Sequence, residues 1–108
     1  MKIHFCGFDK AHPDALSALR GLLPSLARPF VPGGSVGIKL HWGEIGNESY
    51  LDPVYTREIV RWLTGGGFRP FVFDTSVLYS GGRRTAQDAL ETAAQHGYTE
   101  AFLGCPVM

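Results

Sequence analysis

The residues best suited to chemistry follow two apolar runs of the chain. In the segment VGIKLHWGEIGN, a strand pattern ends in Lys39, His41 and Glu44, and a later apolar run ends in Asp74. An imidazole with two carboxylates suits a divalent metal, and the same groups can act as a general base with an orienting acid. Because no diagnostic spacing such as HExxH is present, the plainer interpretation, loop residues hydrogen-bonded to nearby backbone, stays open.

Lys39 poses a separate question, because it alternates with Ile38 and Leu40 and shares a strand face with His41. A lysine among apolar strand residues needs a partner, since burying a lone charge is costly. Asp74 is the natural candidate for an ion pair. A bound anion is the alternative.

The segment LYSGGRRTAQD is the better candidate for binding an anion. Gly81 and Gly82 let the backbone bend closely, and Arg83 and Arg84 stand just before a predicted helix. Helix N-termini attract anions through free amides, and arginines add forked donors. The Walker spacing is missing. Tyr79 either covers such a site or simply packs.

These residues need a scaffold that brings strand ends together, and the pattern of the chain predicts one. Apolar runs predict strands over residues 3–8, 36–42 and 70–74, with a fourth opening at 101–103. Helical patterns fall after Asp14 (interrupted at Pro24), after Asp52-Pro53 up to the glycines at 65–67, and from Thr85 to His96. We expect His96 to contact the carbonyls that end its helix.

This alternation predicts an α/β fold. We expect a mainly parallel sheet flanked by helices, Rossmann-like with the order βαβαβαβ and three layers. In such sheets ligands bind outside the carboxyl ends of the strands, which places His41, Glu44 and Asp74 at one edge. The apolar end GCPVM, where the pattern of a further strand begins, favours an incomplete sheet, expected either in a piece of a longer protein or in an unusually short member of a family of longer proteins.

Composition limits the function classes. The chain has 108 residues and a formal net charge of zero, so a single domain over 1–108 is expected and no broad basic field holds nucleic acid. No apolar run is long enough for a spanning helix, and no signal segment is recognisable, so no membrane partner is expected. Cys6 and Cys105 are far apart in sequence and favour small buried residues in a reducing, cytoplasmic setting.

Three stretches in fixed order, KLHWGEIGN, YLDPVYTREIV and RPFVFDTSVLYSGGRRTAQDALETAAQHGY, resemble the domain-of-unknown-function family 362. This family consists of prokaryotic, iron–sulfur-associated proteins whose reaction is not established. The resemblance runs from about Val36 to the end of the chain. It implies an α/β domain followed, in longer members, by a ferredoxin-like segment with clustered cysteines. A [4Fe-4S] cluster needs four thiolates, and this chain has two cysteines, so no cluster is expected on it alone.

The resemblance also implies that the polar set lines a functional cleft. Candidate catalytic or metal-binding residues are His41, Glu44 and Asp74, and candidate ligand-binding residues are Lys39, Asn47, Thr75, Tyr79, Arg83 and Arg84. Our leading hypothesis is a redox- or metal-associated domain whose cleft binds a small anionic ligand or a divalent metal. A homodimer, or a partner chain carrying the ferredoxin-like part, is the expected assembly.

A rival hypothesis assigns the chain no chemistry of its own. It is then an interaction or assembly module that completes its sheet through an exposed edge near Phe102 and Leu103. A truncated, inactive remnant is the third interpretation.

Overall fold

The computed structural model describes residues 1–26, 31–77 and 83–108. The chain divides into two compact units, which we call the N-terminal unit, Met1–Val31, and the C-terminal unit, Pro32–Met108. Each unit has its own elements and is described separately. The expectation of a single domain over 1–108 stays a prediction.

The N-terminal unit is built around one short helix. Helix α1 covers Ala15–Leu22 and starts at Asp14, whose side chain accepts a hydrogen bond from the Ser17 amide in a capping box. A 3₁₀ turn, Leu23–Ser25, follows and contains Pro24. The predicted interruption at Pro24 is therefore confirmed, because proline cannot continue the hydrogen-bond pattern of an α-helix.

The predicted first strand, over residues 3–8, is wrong. The structure gives this segment no strand pairing, and Ile3, Phe5 and Phe8 are exposed. An isolated extended segment gains neither ladder hydrogen bonds nor a buried face, so apolar alternation alone does not make it a strand.

The C-terminal unit contains a parallel sheet. Strand β1, Ser35–Lys39, pairs in parallel with β2, Arg69–Phe73, in a register that places Lys39 opposite Phe73. On the other side of β2, Val72 forms a parallel bridge with Val107. The parallel arrangement and both strand positions agree with the sequence prediction.

Helix α2, Pro53–Gly65, connects β1 to β2. The Asp52 carboxylate accepts a hydrogen bond from the Val54 amide, and proline takes the first helical position, as predicted. The helix ends in the glycine run, where Gly67 adopts a positive φ of 83°. The glycines therefore terminate the helix and turn the chain toward β2.

Two further helices follow β2. Helix α3, Ala86–Gln95, starts with the predicted capping box between Thr85 and Asp88. Helix α4, Glu100–Leu103, occupies the segment predicted as a fourth strand, so that prediction is wrong. Thr99 caps α4 by accepting from the Phe102 amide, and this local hydrogen bond favours a helical turn over an extended segment.

The hydrophobic core of the C-terminal unit lies on one face of the sheet. Val36, Ile38 and Val72 alternate toward that face, where they pack in clusters with residues of α2, α3 and α4. The opposite face carries Gly37, where an added Cβ would lie 2.8 Å from the Phe71 ring, so the ring packs close to the bare backbone. The described residues thus form a small α/β fold; the three-layer Rossmann-like architecture stays a prediction.

Candidate functional site

The carboxyl ends of β1 and β2 bring the predicted polar residues together. The Leu40 amide donates to the Phe73 carbonyl at 2.9 Å, which continues the pairing one step beyond the strands. Both Lys39 and His41 reach the side chain of Asp74, the residue that follows β2. The Nζ atom of Lys39 lies 2.5 Å from Asp74 Oδ1, so the predicted ion pair is confirmed.

Arg83 lies at the centre of this arrangement. Its Nε donates to Glu44 Oε1 at 2.7 Å, and its Nη1 donates to Asp74 Oδ2 at 2.5 Å. The same Nη1 lies 3.1 Å from His41 Nδ1. We call Lys39, His41, Glu44, Asp74 and Arg83 the strand-end cluster. Only 1% of the Arg83 side chain is exposed, so it holds the cluster together from inside.

The Asp74 carboxylate is the buried acceptor of the cluster, with 2% of its side chain exposed. Burial alone would raise its pKa. The hydrogen bond from Lys39, the Thr75 amide at 2.8 Å and the charges of Lys39 and Arg83 outweigh burial, so the pKa of Asp74 is lowered from 3.8. Asp74 is therefore an ionised anchor at neutral pH, and it does not hold a proton to donate.

His41 and Lys39 are the most exposed members of the cluster, with 66% and 48% of their side chains exposed, against 29% for Glu44. A guanidinium only donates, so in a hydrogen bond between Arg83 Nη1 and His41 Nδ1 the ring proton is on Nε2. The Lys39 ammonium has three N–H groups and uses two, on Asp74 and on the Leu40 carbonyl, so one is left for a ligand.

The metal interpretation has less support from this geometry. The carboxylates of Glu44 and Asp74 contact the Arg83 guanidinium, which takes the place that a cation would need. Within residues 1–26, 31–77 and 83–108, no group of three or more His, Cys, Asp or Glu side chains is arranged to hold a metal ion. The roles of His41, Glu44 and Asp74 as catalytic residues or metal ligands stay predictions.

The other predicted site residues have different positions. Asn47 Oδ1 accepts from the amide and hydroxyl of Ser49, at 2.8 and 2.7 Å, so this amide shapes its own loop. Thr75 contacts Asp74 through its backbone amide. Arg84 is exposed beside the start of α3. Tyr79, with Gly81 and Gly82, lies outside the described residues.

A second concave region involves residues that the sequence analysis did not select. His96 and Tyr50 stack with their ring centroids 3.9 Å apart and their planes 6° from parallel. They line a cleft of about 410 Å³, which we call the Tyr50–His96 cleft; its lining residues are Glu48, Tyr50, Asp52, Pro53 and His96. The expected contact of His96 with the end of its own helix is wrong, because its Nδ1 lies 2.5 Å from the Trp42 carbonyl.

The sequence carried only a weak signal for this cleft. Asp52-Pro53 was recognised as a helix start, and Glu48 and Tyr50 stand within the loop before it. The contact with His96 spans 54 positions, from Trp42. No local periodicity encodes such a pairing, so only the folded chain reveals it.

Comparison with known proteins settles the family. Residues 36–108 match the model described as Domain of unknown function (DUF362), which covers more than half of the chain. The chain belongs to this family. The match includes β2, all of β1 except Ser35, and the whole strand-end cluster of this DUF362 domain, and it confirms the resemblance. No curated protein and no solved structure matches the chain.

Proposed function

We propose that the strand-end cluster of this DUF362 domain binds a small anion, a carboxylate or a phosphate. One observation carries the proposal: the Lys39 ammonium, which has one N–H left, and the exposed His41 ring lie above a buried, ion-paired base of Asp74 and Arg83. Both side chains lie beside the same Asp74 carboxylate, Lys39 Nζ at 2.5 Å and His41 Nδ1 at 3.5 Å, so the two groups are neighbours. Neighbouring donors suit a ligand with two acceptor oxygens.

The formal charge of the cluster explains what kind of anion fits. Lys39 and Arg83 carry two positive charges, and Glu44 and Asp74 carry two negative charges, so the sum is zero. Attraction over long distance is therefore small, and recognition depends on positioned donors. A small anion satisfies the two donors without adding a large uncompensated charge. Arg84, the next residue of the chain, is exposed and adds one positive charge.

A titration followed by ¹H–¹⁵N NMR tests the proposal, with inorganic phosphate and acetate as probes and Mg²⁺ and Zn²⁺ as a separate metal arm. We expect saturable shifts at Lys39 and His41 with one or both anions. Replacing a donor, in Lys39→Met or His41→Ala, removes one hydrogen bond and weakens binding about tenfold, since a hydrogen bond to a charged group contributes about 1.5 kcal/mol.

Lys10→Met is the matched control, because Lys10 is an exposed lysine of the N-terminal unit. It removes the same charge and leaves the affinity unchanged. Equal affinity of wild type, Lys39→Met and His41→Ala, or no saturation with either anion, contradicts the proposal. Saturation by a metal alone restores the metal interpretation.

The iron–sulfur association of the family is a further part of the proposal, and it concerns a partner. The chain has two cysteines, too few to hold a [4Fe-4S] cluster. Burial raises the pKa of the Cys105 thiol, which disfavours the thiolate that such a cluster requires. The residues of this chain thus do not fit such a cluster, and a ferredoxin-like partner segment would have to supply it.

A cytoplasmic setting is also part of the proposal, since both cysteines are free thiols. Among the described helices, none has the length and apolar character needed to cross a lipid bilayer.

The assembly hypothesis needs a different surface from the one predicted. Leu103 is buried in α4, and Phe102 packs under the Arg57 guanidinium, 4.2 Å from the ring centroid, so neither lies on a sheet edge. The observation that favours assembly is β1, which is an edge strand of the described sheet. Size-exclusion chromatography with light scattering tests this: a stable dimer supports assembly, and a monomer at micromolar concentration contradicts it.

A further inference from the structure

The Tyr50–His96 cleft is separate in composition from the strand-end cluster. Its volume of about 410 Å³ accommodates a group of several heavy atoms, because one water takes up roughly 30 Å³ in the liquid. Glu48 and Asp52 are the charged residues of its lining, and both are acidic. Within the described residues, the Glu48 carboxylate has no hydrogen-bond or ion-pair partner.

His96 contributes an acceptor to this cleft. The Trp42 carbonyl can only accept, so the short contact with it requires a proton on His96 Nδ1. In the neutral ring, Nε2 then carries a lone pair, on the far side of the ring from Trp42. Stacking on Tyr50 fixes the plane of the ring. The cleft therefore presents an imidazole acceptor in addition to two carboxylates.

The start of α2 offers no free donors to an anion here. Pro53 has no N–H, the Val54 amide donates to Asp52 Oδ1 at 2.9 Å, and the Tyr55 amide donates to the Asp52 carbonyl at 3.1 Å. A helix N-terminus usually favours anions, but these contacts occupy its first amides. Among the lining side chains, the carboxylates of Glu48 and Asp52 accept hydrogen bonds, and the Tyr50 hydroxyl can donate or accept.

The walls of the cleft are held in place by contacts outside it. The Tyr98 hydroxyl donates to the Leu51 carbonyl, which anchors the loop between Tyr50 and Asp52. Gly43 has a positive φ of 82°, and a Cβ there would lie 3.1 Å from Tyr50 Cβ and 3.5 Å from the His96 ring. Glycine thus lets the backbone lie directly against the stacked pair. A preformed site of this kind loses little entropy on binding.

We infer that the Tyr50–His96 cleft binds an ammonium or guanidinium group, with Glu48 and Asp52 as charge partners and His96 Nε2 as a hydrogen-bond acceptor. Such a group has only donors, which match the acceptor side chains of Glu48, Asp52 and His96. The same chemistry occurs in a free amine and in a lysine or arginine side chain of a peptide.

The test is an NMR titration of the full chain with agmatine, which carries both an ammonium and a guanidinium group. Acetyl-Ala-Lys-Ala-amide forms a second arm that separates a peptide side chain from a free amine. We expect saturable shifts of the Tyr50 and His96 ring resonances. In the double variant Glu48→Gln with Asp52→Asn, affinity falls at least about tenfold, because both charge-assisted partners are lost.

Asn keeps the capping oxygen at position 52, so the variant removes charge and leaves the start of α2 intact. Glu91→Gln is the matched control, since Glu91 is an exposed carboxylate of α3 outside the cleft. The inference is overturned if neither probe saturates the cleft, or if the double variant binds as tightly as wild type. Phosphate binding at Lys39 and His41 is measured in a separate titration. Failure of one proposal therefore leaves the other unaffected.

Discussion

The strand-end cluster and the Tyr50–His96 cleft receive residues from the same loop between β1 and α2, yet they differ in burial and in the pairing of their charges. The cluster is built on a buried arginine whose charge is matched by two carboxylates. The cleft is open and acidic, and its carboxylates are exposed. In the first region polar groups satisfy one another; in the second they face solvent.

This difference teaches which residues support the fold and which can serve a ligand. Arg83 and Asp74 are almost fully buried, so their main contribution is to hold two loops together. Lys39 and His41, at the surface of the same cluster, keep donors to spare. In the cleft, by contrast, the acidic side chains themselves are available. Burial, more than residue type, separates the anchoring groups from the binding groups.

The largest effect is expected from removing Arg83. Arg83→Ala leaves the Asp74 carboxylate, with 2% of its side chain exposed, beside an empty space and without one of its two charge partners. Breaking a buried ion pair from one side destabilises a protein by about 3–5 kcal/mol. Urea unfolding of the full chain measures this. The neighbouring, exposed Arg84→Ala is the control and changes stability by less than about 0.5 kcal/mol; equal losses would show that Arg83 is no anchor.

Alanine variants of His41 and His96 test which of the two histidines anchors the fold. His96→Ala removes the partner of the buried Trp42 backbone, and an unsatisfied buried carbonyl costs about 1–3 kcal/mol. His41→Ala changes stability less, because the ring is 66% exposed and water replaces it. Thermal and urea unfolding of both variants measure the difference. A larger loss for His41 would reverse the assignment of anchoring and binding roles.

Gly43 lies in the loop that contributes residues to both regions. Its substitution tests whether the close approach to Tyr50 needs glycine. Both Gly43 and Gly46 have a positive φ, so alanine at either costs about 1–2 kcal/mol in the left-handed conformation. Only at Gly43 does the new Cβ meet Tyr50, at 3.1 Å, whereas at Gly46 nothing lies within 4 Å. We therefore expect Gly43→Ala to be the more destabilising variant by urea unfolding, and to weaken agmatine binding; identical losses would contradict the close approach.

The smallest effect is the pH dependence contributed by the cluster. Because the pKa of folded Asp74 lies below 3.8, its contribution to stability is present above that pH and is lost as the pH falls through the folded value. Asp9 and Asp14 also have lowered pKa values, so the variant Asp74→Asn isolates the contribution of Asp74. Stability measured from pH 6 to pH 3 should decline less in Asp74→Asn than in wild type. Parallel curves would show that Asp74 is not the acid-sensitive anchor.

Local signals in the sequence determined much of the C-terminal unit. The capping residues Asp52 and Thr85, and the glycines that end α2, fixed two helices because each acts within a few positions. Parallel pairing of β1 and β2 followed from the intervening helix. The ends of those strands also located Lys39, His41 and Asp74 at one edge, since parallel strands share a direction.

The tertiary structure alone decided which of these groups are buried and what they contact. Residues 3–8 have a strand pattern, but without a pairing partner they form none, while Val107 gains a bridge from Val72. Arg83, a predicted ligand-binding residue, is enclosed by Glu44, His41 and Asp74. Charge and periodicity are properties of the sequence. Whether a charged side chain is buried depends on contacts between residues that are distant in sequence. Burying a charge is costly unless surrounding groups pair with it, and only the fold supplies those groups.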